Sequence, residues 1–90
     1  MKLYIKKLVW NSWNVEHIKK HSLVPADVEN ALSDAKIRFT HGHSERILVL
    51  ARSGNRLIAM VLAQEQLNTY YVVTARDMDK KERNIYRKEN

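Results

Sequence analysis

The sequence predicts an α+β domain: a small antiparallel β-sheet with two N-terminal helices and one C-terminal helix. Three observations carry this. Apolar residues recur at helical spacing between residues 13 and 32. From residue 36 they alternate, or run together, in stretches of strand length, and beyond residue 78 the helical spacing returns. The sheet expected is a meander of about four strands joined by an N-terminal strand. Ninety residues suffice for one modest core, so residues 1–90 are expected to form a single domain.

The opening "KLYIKKLVW" ends in Leu8, Val9 and Trp10 and reads as the first strand. Asn11 or Ser12 can cap the helix that follows, because either side chain accepts a hydrogen bond from an unsatisfied helix N–H. Over residues 13 to 21, at about 100° per residue, Trp13, His17, Ile18 and His21 share a broad face. Pro25 suits the first turn of a second helix, whose inward stripe is Val28, Ala31 and Leu32 and which should stop near Ser33 or Asp34. Then come "KIRFTH", "ERILVLAR", "RLIAMVLAQ" and "TYYVVTAR", separated by "HGHS", "SGN" and "QLN", with "SGN" the clearest hairpin turn. Ile47, Val49 and Ala51 alternate with Leu48 and Leu50, so the central strands are apolar on both faces and need cover on both. The predicted helices are expected to cover one side and leave part of the other for a partner chain.

Sixteen Lys and Arg stand against ten acidic residues, a formal charge of +6, which on so small a surface favours an anionic partner such as nucleic acid or an acidic protein. The excess lies at the ends. Lys2, Lys6, Lys7, Lys19 and Lys20 face only Glu16 in residues 1–21, and residues 76–90 hold six basic against four acidic groups. Were the two ends to meet in space, they would make one positive rim. The chain has no cysteine, hence neither a disulfide framework nor a thiolate zinc site, which suits a reducing cytoplasm. No stretch has a signal-peptide core or the roughly 20 apolar residues of a membrane span.

Arg46 and Arg52 share one face of their strand, and Arg76 closes the face containing Tyr70, Val72 and Thr74. Converging guanidinium groups match phosphate bidentately and stabilise charge that develops in phosphoryl transfer; any one of them alone reads as a solvated strand end. In the last helix Met78, Glu82, Ile85 and Tyr86 fall on one face, with Lys80, Arg83 and Arg87 opposite. A carboxylate among apolar residues needs a partner, and Arg76 is the nearest strand-end candidate. The alternative is purely local: Asp79 and Glu82, three apart, form a capping box. His17 and His21 have the i, i+4 spacing that can bind zinc, but "HIKKH" lacks the glutamate of HExxH and no third ligand is spaced to join them. Half-buried rings beside Trp13 are the expectation, with His21 also a proton carrier near neutral pH. His41 and His43 flank Gly42 in a turn, where solvated loop residues are the default.

Two segments, "VWNSWNVEHIKKHSLVPADVENAL" and "YVVTARDMDKKERNIYRK", resemble the opening and closing patterns of the BrnT-like toxins of toxin–antitoxin modules. They are similar to W-x-x-x-N-x-x-H-I-x-x-H-x-V-x-P-x-x-V-E-x-x-L and to V-I-[ST]-A-R-x-[MA]-x-x-x-E-R-x-x-Y, and cover about half the chain. The resemblance implies a RelE-like fold, a ribonuclease that halts translation, neutralisation by a ribbon-helix-helix antitoxin, and operator DNA bound only through the complex. It also leaves room for a higher-order toxin–antitoxin oligomer. Arg76, Glu82, Arg83 and Tyr86 match the closing motif, and Trp10, His17 and His21 the opening one. Asn11 and Asp77 depart from it, the latter weakening the local positive field.

The function expected is therefore a metal-independent, cofactor-free endoribonuclease in which a ribose 2′-hydroxyl attacks the adjacent phosphate. Arg46, Arg52 and Arg76 would stabilise the transition state, Glu82 or His21 would move protons, Lys80, Lys81, Arg83 and Arg87 would hold RNA, and Tyr86 would stack on a base or donate a hydrogen bond. The alternative is a non-catalytic basic module that binds nucleic acid or protein. A metal enzyme using His17 and His21 is the third reading.

Overall fold

A computed structural model describes residues 4–88. In chain order they form β1 (Lys7–Val9), α1 (Ser12–Lys19), α2 (Pro25–Ala31), β2 (Arg38–His41), β3 (Ile47–Ser53), β4 (Arg56–Gln66), β5 (Thr69–Asp77) and α3 (Lys80–Arg87). The five strands lie in the order β1-β5-β4-β3-β2. The meander from β2 to β5 is antiparallel, but β1 runs parallel to β5, so the sheet is mixed where an antiparallel one was expected.

Two contacts explain why β1 joins that edge. At the tip of the β4–β5 turn the Asn68 carbonyl accepts the N–H groups of Lys6 and Lys7, at 2.8 and 3.2 Å. At the other end, Asn14 in α1 donates from Nδ2 to the carbonyls of Val9 and Val72, at 2.9 and 3.0 Å, stitching the two strands together just as β1 ends. Its Oδ1 accepts the Asn11 N–H at 2.8 Å, while Asn11 Oδ1 accepts the Asn14 N–H at 3.1 Å. A buried amide is costly unless its hydrogen bonds are made, and here both donors and the acceptor are engaged.

That amide also fixes which way α1 faces. Asn14 and Ile18, four apart, are the buried residues of the helix. Trp13 is 80% exposed and His17 and His21 are exposed, so the broad face expected from Trp13, His17, Ile18 and His21 is not the inward one. An apolar criterion alone selects Trp13; the hydrogen-bonding demand of the Val9 and Val72 carbonyls selects Asn14. Helix α2 follows expectation, with Pro25 in its first turn, Val28 and Ala31 buried, and the Asp27 carboxylate accepting the Val24 N–H at 3.0 Å. The Trp10 indole N–H donates to Glu29 Oε2 at 2.9 Å, tying the end of β1 to α2.

Helices α1 and α2 cover one face of the sheet, where Ile18, Val28 and Ala31 pack against Val49, Ile58, Met60 and Val72. The other face is covered in part by α3, whose Met78-side entry and Tyr86 pack on Leu50 and Ala59. The helices therefore divide between the faces instead of sharing one, and eight residues of α3 leave Leu48, Val61 and Thr74 half-buried.

A β-bulge decides where Arg76 lies. Val61 pairs with Thr74 and Leu62 with Val72, leaving Val73 unmatched. Strict alternation would put Arg76 with Tyr70 and Val72 beneath α1 and α2. The extra residue shifts the period, so Tyr70, Val72 and Ala75 face the α1/α2 core while Arg76 pairs with Ala59 and joins the α3 face.

Replacing Asn14 by Ala strips the buried Val72 carbonyl and the part-buried Val9 carbonyl of their donor. The variant should lose about 2–4 kcal/mol in urea denaturation, and amide exchange should quicken first along β1.

Candidate functional site

The site grows from the junction of β5 and α3. Asp79 caps α3, its Oδ1 accepting the Glu82 N–H at 2.8 Å, and Glu82 Oε1 accepts the Asp79 N–H at 2.9 Å. Arg76 also reaches Glu82, donating from Nη1 to Oε1 at 2.7 Å and from Nη2 to Oε2 at 2.9 Å. The two readings of Glu82, capping box and ion pair, thus hold together on one carboxylate. Arg76 holds Glu82 below its ordinary carboxylate pKa, against the opposing effect of burial, and Glu82 raises Arg76 in turn. A carboxylate with both oxygens engaged and its ionised form favoured is an anchor for the guanidinium and a poor proton carrier near neutral pH.

Arg76 and Glu82 line a cavity of about 300 Å³, whose opposite wall is the loop between β2 and β3 with Gly42, His43, Ser44 and Arg46. Leu48 and Val61, on the uncovered part of the sheet, form its floor. One helical turn beyond Glu82, Tyr86 borders a larger groove of about 690 Å³, lined by Lys36, Arg38, Arg52, Arg87 and Lys88. The expected triad is therefore divided by α3: Arg46 and Arg76 share one cavity, and Arg52 belongs to the other.

The groove is built by antiparallel register. Arg38 pairs with Leu50 across β2 and β3, which brings it beside Arg52 on the α3 face. Its Nε donates to the Tyr86 carbonyl at 3.2 Å and its Nη2 to the Lys88 carbonyl, where the negative end of the helix favours a cation. The C-terminal charges accordingly meet residues 36–52 at the β2 edge, while β1 lies at the opposite edge of the sheet. The positive rim imagined from joined chain ends does not form among the described residues; Lys2 lies outside them.

Tyr86 is buried at 7% exposure, and its hydroxyl donates to Asp34 Oδ2 at 2.6 Å. Burial and the Asp34 carboxylate push the phenol up from its ordinary pKa. Burial also acts to raise Asp34, but hydrogen bonds from Tyr86 and from the backbone N–H groups of Lys36 and Arg52 outweigh it and leave Asp34 lowered. The expectation that Tyr86 stacks on a base is corrected: its ring packs on Leu50 and its hydroxyl is committed to Asp34.

Lys80, Lys81 and Arg87 are exposed, whereas Arg83 is half-buried and its Nη1 turns back to the Met78 carbonyl at 2.9 Å. His21 lines neither cavity. It lies after α1, where its carbonyl and that of Ser22 accept from Arg56, itself paired with Asp77 at 2.8 Å. The His17 and His21 rings stand 5.9 Å apart, edge to face, and among the described residues no group of three His, Cys, Asp or Glu side chains gathers where a metal ion could sit. Lys36 and Arg38 were not singled out from the sequence, and His43 was read there only as a solvated loop histidine. The first two could have been found by aligning "KIR" against "LAR" across the β2–β3 hairpin.

Among the described residues no helix is long and apolar enough to cross a membrane. No family model and no curated protein matches the chain.

The Arg76–Glu82 pair makes stability depend on pH in a defined direction. Because Glu82 is lowered in the folded state, its contribution is full above the ordinary value of 4.5 and is lost as pH falls through the folded one. Glu82→Gln should be about 1–3 kcal/mol less stable than the parent chain at pH 7, with the gap narrowing below pH 4.5, as read by urea unfolding at a series of pH values.

Proposed function

We propose that the chain is a BrnT-like toxin with a RelE-like fold: a metal-independent endoribonuclease of the cytoplasm, in which a ribose 2′-hydroxyl attacks the adjacent phosphate. The single observation that supports it best is the pairing of a guanidinium held rigid by a buried carboxylate with a second guanidinium, Arg46, across one cavity. Two such groups on opposite walls suit a phosphate whose charge grows in the transition state, because fixed cations need no reorganisation when that charge appears. Arg76 and Arg46 are the residues assigned to it, with Glu82 as the anchor of Arg76.

The groove beyond α3 supports the same reading as a track for RNA. Lys36, Arg38, Arg52, Arg87 and Lys88 line it beside Tyr86, one helical turn along α3 from Glu82 in the first cavity, so that one strand would run from one to the other. Lys80 and Lys81 add exposed charge along α3, and Arg83 adds what its bond to the Met78 carbonyl leaves free. The antitoxin, expected to be of ribbon-helix-helix type, would cover the open part of the sheet around Leu48 and Val61 and so close the Arg46–Arg76 cavity. Operator DNA would be met only through that complex.

That half-open apolar face also favours a second reading, a non-catalytic basic module whose sheet binds a protein partner. The two separate on purified protein. Cleavage of single-stranded RNA in EDTA, free or on translating ribosomes, with a 2′,3′-cyclic phosphate product, supports the nuclease; intact RNA under both conditions overturns it. Arg46→Ala should slow cleavage about 100-fold or more while unfolding within about 0.5 kcal/mol of the parent. Arg52→Ala should instead weaken RNA binding and lower the slope of log affinity against log salt by about 0.7, the share of one phosphate contact on a single strand.

A further inference from the structure

The nuclease reading leaves one chemical role unfilled, the group that takes the proton from the attacking 2′-hydroxyl. Both oxygens of Glu82 are held by Arg76 and by the Asp79 N–H. The Tyr86 hydroxyl is spent on Asp34. Arginine and lysine keep their protons at working pH. Of the four histidines, His17 and His21 lie on the α1 side and line neither cavity. His41 pairs with Ile47, which packs with the α1/α2 core, and so belongs to the opposite face of the sheet from Arg76. His43, two residues on, lines the wall of the Arg46–Arg76 cavity.

The loop that carries His43 is shaped to hold it there. The Gly42 N–H donates to the Arg46 carbonyl at 2.7 Å and the Arg46 N–H donates to the His43 carbonyl at 3.0 Å, closing a tight ring between β2 and β3. Ser44 and Glu45 both take positive φ, 56° and 63°, a conformation that costs L residues about 1–3 kcal/mol each and that gathers at functional sites. A Cβ on Gly42 would come within 3.3 Å of the Arg46 carbonyl, so a larger residue there would make the loop give by a few tenths of an ångström. The effect is to set an imidazole and a guanidinium three residues apart on one wall, facing Arg76.

Resting on the nuclease reading, we infer that His43 is the general base of this cavity, acting on a single-stranded RNA phosphodiester held between Arg46 and Arg76. The 2′-O–H proton passes to the imidazole as the 2′-oxygen bonds to phosphorus. The bond from phosphorus to the 5′-oxygen breaks, and that oxygen takes a proton from water. The imidazolium returns its proton to solvent, leaving a 2′,3′-cyclic phosphate and a 5′-hydroxyl.

The test uses the full chain and a single-stranded RNA oligonucleotide in EDTA, with a 2′-deoxy oligonucleotide as the uncleavable probe of affinity. His43→Ala and His43→Gln should cleave about 10²–10⁴-fold more slowly, bind the deoxy probe within about twofold of the parent, and keep its circular dichroism; added imidazole should restore cleavage to His43→Ala. Parental rates in either variant overturn the inference. So does a loss that imidazole leaves unrestored, which would mean His43 only shapes the loop. An inert parent chain overturns the nuclease reading itself, and the role of His43 with it.

Discussion

The fork between Arg76 and Glu82 is the contact on which the α3 side of the molecule depends. It joins the last residues of a strand to the first turn of the helix that follows, and the same carboxylate completes the cap of that helix. Without it, the first turn of α3 would lose its polar tie to the sheet, leaving the small apolar patch of Met78 and Tyr86 over Leu50 and Ala59 and the bonds of Asp34 and Arg38 at the far end of the helix. With it, α3 lies across the second face as a partition, Glu82 on one cavity and Tyr86 on the next. Each of these side chains is pinned by an opposite partner, Arg76 for the first and Asp34 for the second.

This arrangement separates residues that hold from residues that are free to act. Glu82, Tyr86 and Asp34 are committed to hydrogen bonds on the α3 side, and their shifted ionisation follows from that bonding and burial. Such shifts often mark catalytic groups, but a carboxylate drawn down by a bidentate arginine is stabilised as a charge and resists accepting a proton. In the proposed nuclease, the residues left for chemistry would be the exposed ones on the cavity wall, Arg46 and His43, together with the guanidinium that Glu82 holds. Two motif residues at the start of the chain are likewise structural: Trp10 binds Glu29, Asn14 ties β1 to β5, and both act on the fold at the far side of the sheet.

Much of the local structure was legible. Pro25, the Asn11 cap, the "SGN" turn with Gly54 at φ +60°, and the alternation in β3 and β4 each depend on neighbours within a few residues, so the chain carries them openly. The pairing of Arg76 with Glu82 was legible as one of two options because six residues separate them. The inward face of α1 was not, since Asn14 is buried for the sake of carbonyls on two strands, one of them at Val72, 58 residues away.

The sequence by itself determined the elements, their order, the basic character and the candidate arginines, because these rest on composition and on short-range geometry. Tertiary structure alone decided that β1 runs parallel to β5, that one unmatched residue at Val73 carries Arg76 to the α3 face, and that Arg52 parts company with Arg46. It also brought Lys36 and Arg38 to the end of α3, and His43 to the wall facing Arg76. Each of these depends on strand register and on which face an element buries, and both are settled only when segments distant along the chain pack together.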